Sequence, residues 1–313
     1  VSWNPRALPD QSGRTFVVTG ANAGLGFFTS EQLAAAGAHV VLACRNPAKS
    51  ASAVAAIRGR VRGASVSTLE LDVADLTSVR RAAERMLELP QLHGLILNAG
   101  IVHPPVDRAV SPDGTELVLA TNYTGHFLLT SLVLPVLLRT PGSRVVSLGS
   151  MISRLMDSSL DDLQLEITYN NWKAYAQSKI AMQVFGFELD RRLRASGHGG
   201  PDGVQSLVAH PGYSISGLTP GICGVNEVGR GKRFVDTLQG FIGAQGKDAG
   251  AWSTVRAAID PDARGGQYYG PRLLTRGAPT VQRPTRTSLD RGIASRLFTR
   301  TEALVGAPFP LPA

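Results

Sequence analysis

Apolar positions along this chain fall into short unbroken runs, separated by longer stretches with helical spacing. Thr15–Thr19 and His39–Cys44 are β-branched and aliphatic runs of the kind a strand buried on both faces requires. Ser65–Leu71, Leu92–Leu97, Arg144–Leu148 and Val204–Ala209 continue the series, and a short run at Gln267–Tyr269 closes it. Between the runs the spacing predicts helices. These cover Phe27–Ala36, ended by Gly37; Pro47–Ile57; Leu76–Leu87, opened by Asp75 and Thr77; Thr115–Leu138, with a break expected near Gly125; Asn170–Arg194; and Asp248–Ala258. Strands alternating with helices of this length predict βαβ units and an α/β fold. With right-handed crossovers the result is a doubly wound parallel sheet, flanked by helices on both faces, in a single domain. Gly212–Gly246 has no such pattern and reads as a long, irregular, Gly-rich lid or loop.

Composition narrows the class. Of 313 residues, 43% are apolar and 18% charged, which is ordinary for a soluble globular domain. No unbroken apolar run approaches the roughly 20 residues that span a bilayer. The longest candidate, Phe127–Leu138, contains Thr130, Ser131 and Pro135 and reads as a buried helix, so no transmembrane segment is expected. Val1–Gly13 is polar and Pro-containing, unlike a secretory signal; the chain does not open on Met, which leaves upstream residues open. Cys44 and Cys223 make no disulfide framework and no Cys/His group has metal-ligand spacing, so a cytoplasmic, metal-free protein is expected.

Net charge is +8, and the stretch from Arg264 onward, with eight Arg against Asp290 and Glu302, supplies +6 of it. Without aromatic-basic interleaving this is not a nucleic-acid surface. It reads as a solvated, Arg-rich C-terminal extension, with an acidic partner or membrane surface as the sharper alternative. The expected organisation is therefore a domain over residues 1–275, with a substrate loop at about 213–247, followed by an extension over 276–313.

Candidate chemistry gathers at the expected carboxyl ends of the strands, where ligands of open α/β sheets bind. Thr19-Gly20-Ala21-Asn22-Ala23-Gly24-Leu25-Gly26 joins the first strand to the first helix. Glycines at that spacing permit a tight turn and let backbone N–H groups approach a pyrophosphate at the helix N-terminus. Cys44-Arg45-Asn46 ends the second strand with a guanidinium where NAD-selective sites carry an acid, which favours NADP as cofactor and makes NAD the poorer fit. Asp72-Val73 could reach an adenine amino group, and the small Asn98-Ala99-Gly100 could let a cofactor pass close. Tyr175 and Lys179 lie one helical turn apart, and an ammonium beside a phenol favours the phenolate. Such a pair can move a proton to or from an alcohol or carbonyl oxygen. Tyr169 and Lys173 repeat the pattern one turn earlier, so spacing alone leaves two candidates.

Taken together these residues resemble the short-chain dehydrogenase/reductase family, Rossmann-like oxidoreductases. The resemblance runs in order from about Arg14 to Gly212 through Thr19–Gly26, Asp72, Asn98-Ala99-Gly100, Asn122, Ser150, Tyr175, Lys179 and His210-Pro211-Gly212. Ala43-Cys44-Arg45-Asn46, Gly125-His126-Phe127 and Gly265–Pro271 are most similar to its retinol dehydrogenase-like branch. Where the family carries a Ser-Ser pair this chain has Gly149-Ser150, and Ser216 stands where many relatives have Thr.

The resemblance selects Tyr175-Lys179 over Tyr169-Lys173 and assigns roles. Tyr175 is implied as the proton donor or acceptor, and Lys179 as the group that holds the nicotinamide ribose and depresses the Tyr175 pKa. Ser150 is implied to bond the reacting oxygen, and Asn122 to position a water. Pro211, Gly212 and Ser216 are implied to hold the nicotinamide end. The implied activity is that of an NADP(H)-dependent carbonyl reductase or alcohol dehydrogenase. Tyr213, Leu218, Ile222, Phe234, Leu238 and Phe241 in the loop suggest a sizeable apolar aldehyde, ketone or alcohol as partner. Dimers and tetramers are common among similar proteins, so a homo-oligomer is compatible with the chain. A non-catalytic NADP-binding sensor is the rival class, and the intact Asn122, Ser150, Tyr175 and Lys179 set weighs against it.

Overall fold

The structure is a computed structural model that describes residues 3–156, 158–241 and 243–312; the side chains of Arg230 and Phe234 lie outside the described set. Its strands are β1 (Thr15–Thr19), β2 (His39–Cys44), β3 (Ser65–Glu70), β4 (Gly94–Leu97), β5 (Arg144–Leu148), β6 (Gln205–Ala209), β7 (Ser214–Ile215), β8 (Gln245–Gly246), β9 (Tyr268–Pro271) and β10 (Pro279–Gln282). The helices are α1 (Gly24–Ala35), α2 (Pro47–Arg60), α3 (Leu76–Leu87), α4 (Leu117–Leu119), α5 (Gly125–Leu138), α6 (Asn171–Ala195), α7 (Arg230–Phe241), α8 (Lys247–Gly250), α9 (Trp252–Ile259), α10 (Arg286–Leu289) and α11 (Arg291–Val305).

Eight strands form one sheet in the order β10-β9-β6-β5-β4-β1-β2-β3; β7 and β8 form a separate pair. Only the edge strand β10 runs antiparallel to its neighbour in the large sheet. Strand order reverses between β1 and β4, and this switch opens a crevice beyond the strand ends. Alternation within each strand explains the unbroken apolar runs. Val17, Leu95 and Val145 bury on the face covered by α3, α5, α6 and α11, while Phe16, Val18, Ile96 and Val146 bury against α1, α2 and α9. Each such side chain, fully buried, contributes roughly 1.5–3 kcal/mol relative to exposure.

Helix bounds follow local chemistry. Asn46 and Asp75 accept from first-turn N–H groups of α2 and α3, and Pro47 sits at the first position of α2. The expected break near Gly125 is instead a π-helical turn, Ala120–Thr124, that joins α4 to α5 without interruption. The resulting run, Leu117–Leu138, is long and apolar enough by composition to cross a membrane, contrary to the expectation from unbroken runs. Yet 83% of its most apolar window is buried within the fold, the packing of a core helix.

Two expectations need correction. The boundary at 275 does not separate an extension, because β10 completes the sheet and α11 packs into the core through Ala294, Leu297, Phe298, Thr301 and Val305. Those positions form a helical stripe that the arginines between them obscure. Phe298 and Phe309 stand 5.1 and 5.0 Å from the Phe127 ring, and Thr301 meets the Tyr123 hydroxyl at 2.9 Å. Nor is Gly212–Gly246 irregular throughout: it contains the twelve-residue α7, whose amphipathic spacing is masked by flanking glycines.

Candidate active site

The Gly-rich turn and the end of β4 are built as one unit. Gly20 has φ +64, and a Cβ there would come within 2.9 Å of the Ala99 Cα. A Cβ on Gly26 would collide with the Asn98 amide and the Gly20 carbonyl. Asn98 Nδ2 donates to the carbonyls of Thr19 at 2.7 Å and Gly20 at 3.3 Å, while the N–H groups of Asn98 and Ala99 both donate to the Thr19 hydroxyl at 2.9 Å. Behind this turn α1 begins without a side-chain cap or an acidic residue in its first turn. Its first N–H groups are thus left facing the crevice, a fit for an anion. Ala21 and Asn22 lie against the Cys44 thiol, whose pKa burial pushes up. Leu25 faces Gly250 of α8.

Arg45 and Asp72 follow the ends of the parallel neighbours β2 and β3. The sequence placed no acid beside Arg45, but that pairing brings Asp72 Oδ2 to 3.7 Å from its Nη1. The Arg45 side chain nevertheless remains 77% exposed. Asp72 Oδ1 accepts from the Ala74 N–H at 3.0 Å, and the Val73 carbonyl presses on Gly125 where no Cβ would fit.

Ser150 follows β5, and its Oγ accepts from the Tyr175 hydroxyl and from the Ile152 N–H, each at 3.3 Å. A turn further along α6 lies Lys179, buried, with Nζ donating to the Leu148 carbonyl at 2.9 Å. Asn122 lies in the π-helical turn, a distortion that often marks functional sites. Its Nδ2 donates to the Ile101 carbonyl at 3.1 Å and to Ser178 Oγ at 2.9 Å; its Oδ1 accepts from the Ile101 N–H at 2.7 Å. Gly100 sits between these groups: a Cβ there would lie 2.9 Å from Asn122 Oδ1 and 3.6 Å from Lys179 Nζ. Asn122, Ser150, Tyr175 and Lys179 therefore converge. Tyr169 instead donates to the Pro105 carbonyl at 3.2 Å, and Lys173 is half-buried.

Electrostatics depart from one expectation. Burial pushes the Tyr175 pKa up, and the Ser150 bond opposes that only in part. Lys179 donates to the Leu148 carbonyl, and burial lowers its pKa to about 8.

The short chain dehydrogenase family model matches residues 14–219, a span that contains every side chain of this constellation. The chain belongs to the short-chain dehydrogenase family. It is 37% identical to the polyprenol dehydrogenase of Mus musculus over 311 residues, covering 97% of this chain and 88% of that one. The retinol dehydrogenase 12 of Bos taurus is 40% identical over 207 residues, 66% of this chain and 63% of that one. These relatives place it in the retinol dehydrogenase-like branch. The crystal structure of an uncharacterized protein from Mycobacterium paratuberculosis superposes with a TM-score of 0.78 at 36% identity, covering 99% of this chain and 100% of that one. This short-chain dehydrogenase is accordingly an oxidoreductase of the family that interconverts alcohols and carbonyls.

The nicotinamide-side residues expected from sequence join the rest of this dehydrogenase through backbone. The Pro211 carbonyl accepts from Ser214 Oγ at 2.9 Å and Gln245 Nε2 at 2.8 Å, and the Gly212 N–H donates to His210 Nδ1 at 3.2 Å. Ser216 accepts at its carbonyl from Asn226 Nδ2 at 3.3 Å. Of the apolar loop residues, Ile222 is buried, Leu218 lies under Gly240, and Phe241 is 81% exposed; Phe234 is outside the described side chains. A cleft of about 510 Å³ at the opposite ends of β1, β5 and β6, beside Arg14 and Arg144, holds none of the site residues.

Sequence reasoning missed three supports. Gln183 donates to the Ser150 carbonyl at 3.0 Å and to Ser153 Oγ at 2.8 Å. It also accounts for Gly149 in place of the family serine, since a Cβ there would approach Gln183 Nε2 to 2.7 Å. His126 is fully buried behind Thr19; the sequence marked it only within Gly125-His126-Phe127, as a likeness to the branch, and gave it no role. Lys247, from the lid, lies over the Gly-rich turn, with no nearby sequence feature to announce it.

Proposed function

We propose that this dehydrogenase interconverts an alcohol and a carbonyl on a sizeable apolar substrate, using NADP(H). The observation that carries the reading is the Tyr175 hydroxyl held 3.3 Å from Ser150 Oγ, with Lys179 buried one turn away. The crevice fits a dinucleotide on its own geometry. Gly20 and Gly26 admit no side chain, the first turn of α1 offers uncapped N–H groups, and Gly100 leaves a passage beside Lys179. Residues 20–26 would hold the pyrophosphate; Asp72, Val73 and Asn98–Gly100 would line the adenine side; Lys179, Pro211, Gly212 and Ser216 would hold the nicotinamide end. Arg45, exposed at the end of β2, supports a 2′-phosphate and hence NADP over NAD.

The bound cofactor supplies or accepts the hydride. The protein manages the proton. Ser150 Oγ already accepts from Tyr175 and Ile152, so its own hydrogen is free to donate to the substrate oxygen. Tyr175 then protonates that oxygen during reduction or takes its proton during oxidation. Lys179 Nζ, with one N–H on Leu148, keeps donors for the ribose and for a proton path past Asn122.

Substrate class rests on the rim. Leu155 and Ile167 lie in the segment that leaves the carboxyl end of β5, and Tyr213, Leu238 and Phe241 in the one that leaves β6; all are exposed large apolar side chains. The relatives named for polyprenol and retinol support the same class, a long apolar alcohol or its carbonyl. The test is a spectrophotometric screen of NADPH and NADH against aldehydes and ketones of increasing chain length. Turnover should favour NADPH and rise with apolar size. Equal rates across sizes, or no turnover with any carbonyl, would remove the reading.

A further inference from the structure

Lys247 opens α8, on the return arm of the lid, yet its side chain reaches back to the Gly-rich turn. Its Nζ and Cδ each lie 3.6 Å from where a Cβ on Gly24 would stand. The amine is half-buried, and no described carboxylate or carbonyl engages it. Its surroundings oppose a charge: burial and the like-charged Lys232 both lower its pKa. Asp236 is the acid that faces both lysines, but it is committed elsewhere. Its Oδ2 accepts from the Gly217 N–H at 2.7 Å and its Oδ1 from Lys232 at 3.3 Å. A half-buried ammonium without a hydrogen-bonded partner favours an anion, and the turn it faces leads into the uncapped start of α1.

The position of Lys247 is fixed by the fold rather than by a flexible surface chain. Its backbone N–H donates to Thr219 Oγ1 at 2.8 Å, and the carbonyl of the next residue, Asp248, accepts from Gln32 of α1 at 2.9 Å. Gly250 of the same short helix packs so closely on Ser214 and Leu25 that no Cβ would fit. The return arm is thereby pinned to α1 with its one amine pointing at the turn.

We infer that Lys247 is a cofactor-binding residue supplied by the lid: it pairs with the pyrophosphate of the dinucleotide and so latches residues 213–250 over the bound cofactor. This rests on the dinucleotide reading given above and adds a contact and a consequence. Because the latch is on the pyrophosphate, it does not discriminate NADP from NAD, unlike Arg45. Because Lys247 belongs to the lid, cofactor occupancy orders the apolar wall that receives the substrate.

The test compares wild type, Lys247→Met and Lys247→Arg by calorimetric titration with NADP, NAD and adenosine 2′-monophosphate, which lacks the pyrophosphate. Lys247→Met should weaken NADP and NAD alike, by about 10- to 100-fold, as expected for loss of one charge-assisted phosphate contact. Its binding of adenosine 2′-monophosphate should be unchanged, which also shows that it is folded, and Lys247→Arg should restore most of the loss. In parallel, NADP should slow trypsin cleavage at Lys232 and Arg233 in wild type and not in Lys247→Met. Unchanged dinucleotide affinity in Lys247→Met, or equal loss of adenosine 2′-monophosphate, overturns the latch while leaving the oxidoreductase reading intact. A wild-type protein that binds neither dinucleotide overturns both.

Discussion

Thr19 Oγ1 and His126 Nε2 lie 2.9 Å apart in the buried seam beneath the cofactor crevice. The Thr19 hydroxyl already accepts from two backbone N–H groups, those of Asn98 and Ala99, so both its lone pairs are used. Its own hydrogen has two acceptors within reach, His126 Nε2 at 2.9 Å and the Ile96 carbonyl at 3.3 Å. On the other side of the ring, His126 Nδ1 lies 3.4 Å from the Asn122 carbonyl. One neutral imidazole thus ties the end of β1 to the π-helical turn that carries Asn122.

That arrangement predicts acid sensitivity. Burial, followed by the Lys179 charge, lowers the His126 pKa from 6.5 to about 3; burial likewise takes His210 to about 4. The unfolded chain takes up these protons as pH falls below about 6.5, and the folded protein does not until far lower. Stability is therefore full above pH 6.5 and declines as pH falls toward 3, by up to about 1.4 kcal/mol per pH unit for each histidine. Urea melts at pH 7, 6 and 5 should show this slope, and His126→Gln should flatten it by about one proton. An unchanged slope in the variant would refute the assignment.

How far the chain was legible follows from where each signal sits. The parallel sheet was readable because its signal is local, apolar runs of strand length; the Tyr175-Lys179 register was not, since Tyr169-Lys173 has the same spacing and only the resemblance carried by the distant Asn122, Ser150 and Gly-rich turn selected it. Arg45 was readable as a residue but not as half of a pair, since Asp72 reaches it only through the β2–β3 register. Gln183 and Lys247 act across 33 residues and more than 200 residues of chain respectively, and nothing beside them marks a partner. The C-terminal segment was misread because its charge was weighed over residues 264 onward, while its core stripe is carried by a few apolar positions of α11.

The two Tyr-Lys pairs on one helix give a paired prediction. Tyr175→Phe removes the hydroxyl bonded to Ser150 and should lower kcat by roughly 10²–10⁴-fold, the usual worth of a positioned acid-base group. Dinucleotide affinity should be spared. Tyr169→Phe, which loses only a bond to the Pro105 carbonyl, should keep turnover within a few-fold. Single-turnover rates with cofactor titrations on the same preparations would separate the two. Full activity in Tyr175→Phe would sink the mechanism.

The C-terminal helix makes a stability prediction. Phe298 is buried among Phe127, Phe185 and Phe309, with the Arg192 guanidinium 3.9 Å over its ring. Phe298→Ala should cost about 3–5 kcal/mol, the range for emptying an aromatic core position. Removing residues 276–313 altogether strips β10 and this cluster and should yield protein without a cooperative melt. Calorimetry of both variants decides it; a truncated chain that melts like wild type would return α11 to the status of an appendage.

The last prediction isolates Arg45. Its ion pair with Asp72 is long, 3.7 Å, and the guanidinium is mostly in solvent, so the pair contributes at most about 1 kcal/mol to folding. Arg45→Asp should therefore leave the melting temperature nearly unchanged, which makes any cofactor effect interpretable. That variant places a carboxylate where a 2′-phosphate would sit and where NAD-selective sites hold the ribose hydroxyls. NADP affinity should fall by about 10- to 100-fold, as for loss of a charge-assisted bond plus added repulsion, and NAD affinity should hold or rise. The ratio of the two dissociation constants is the readout, since a general distortion of the crevice would move both together. If the ratio does not change, the 2′-phosphate is not read at the end of β2, and the NADP assignment loses its support.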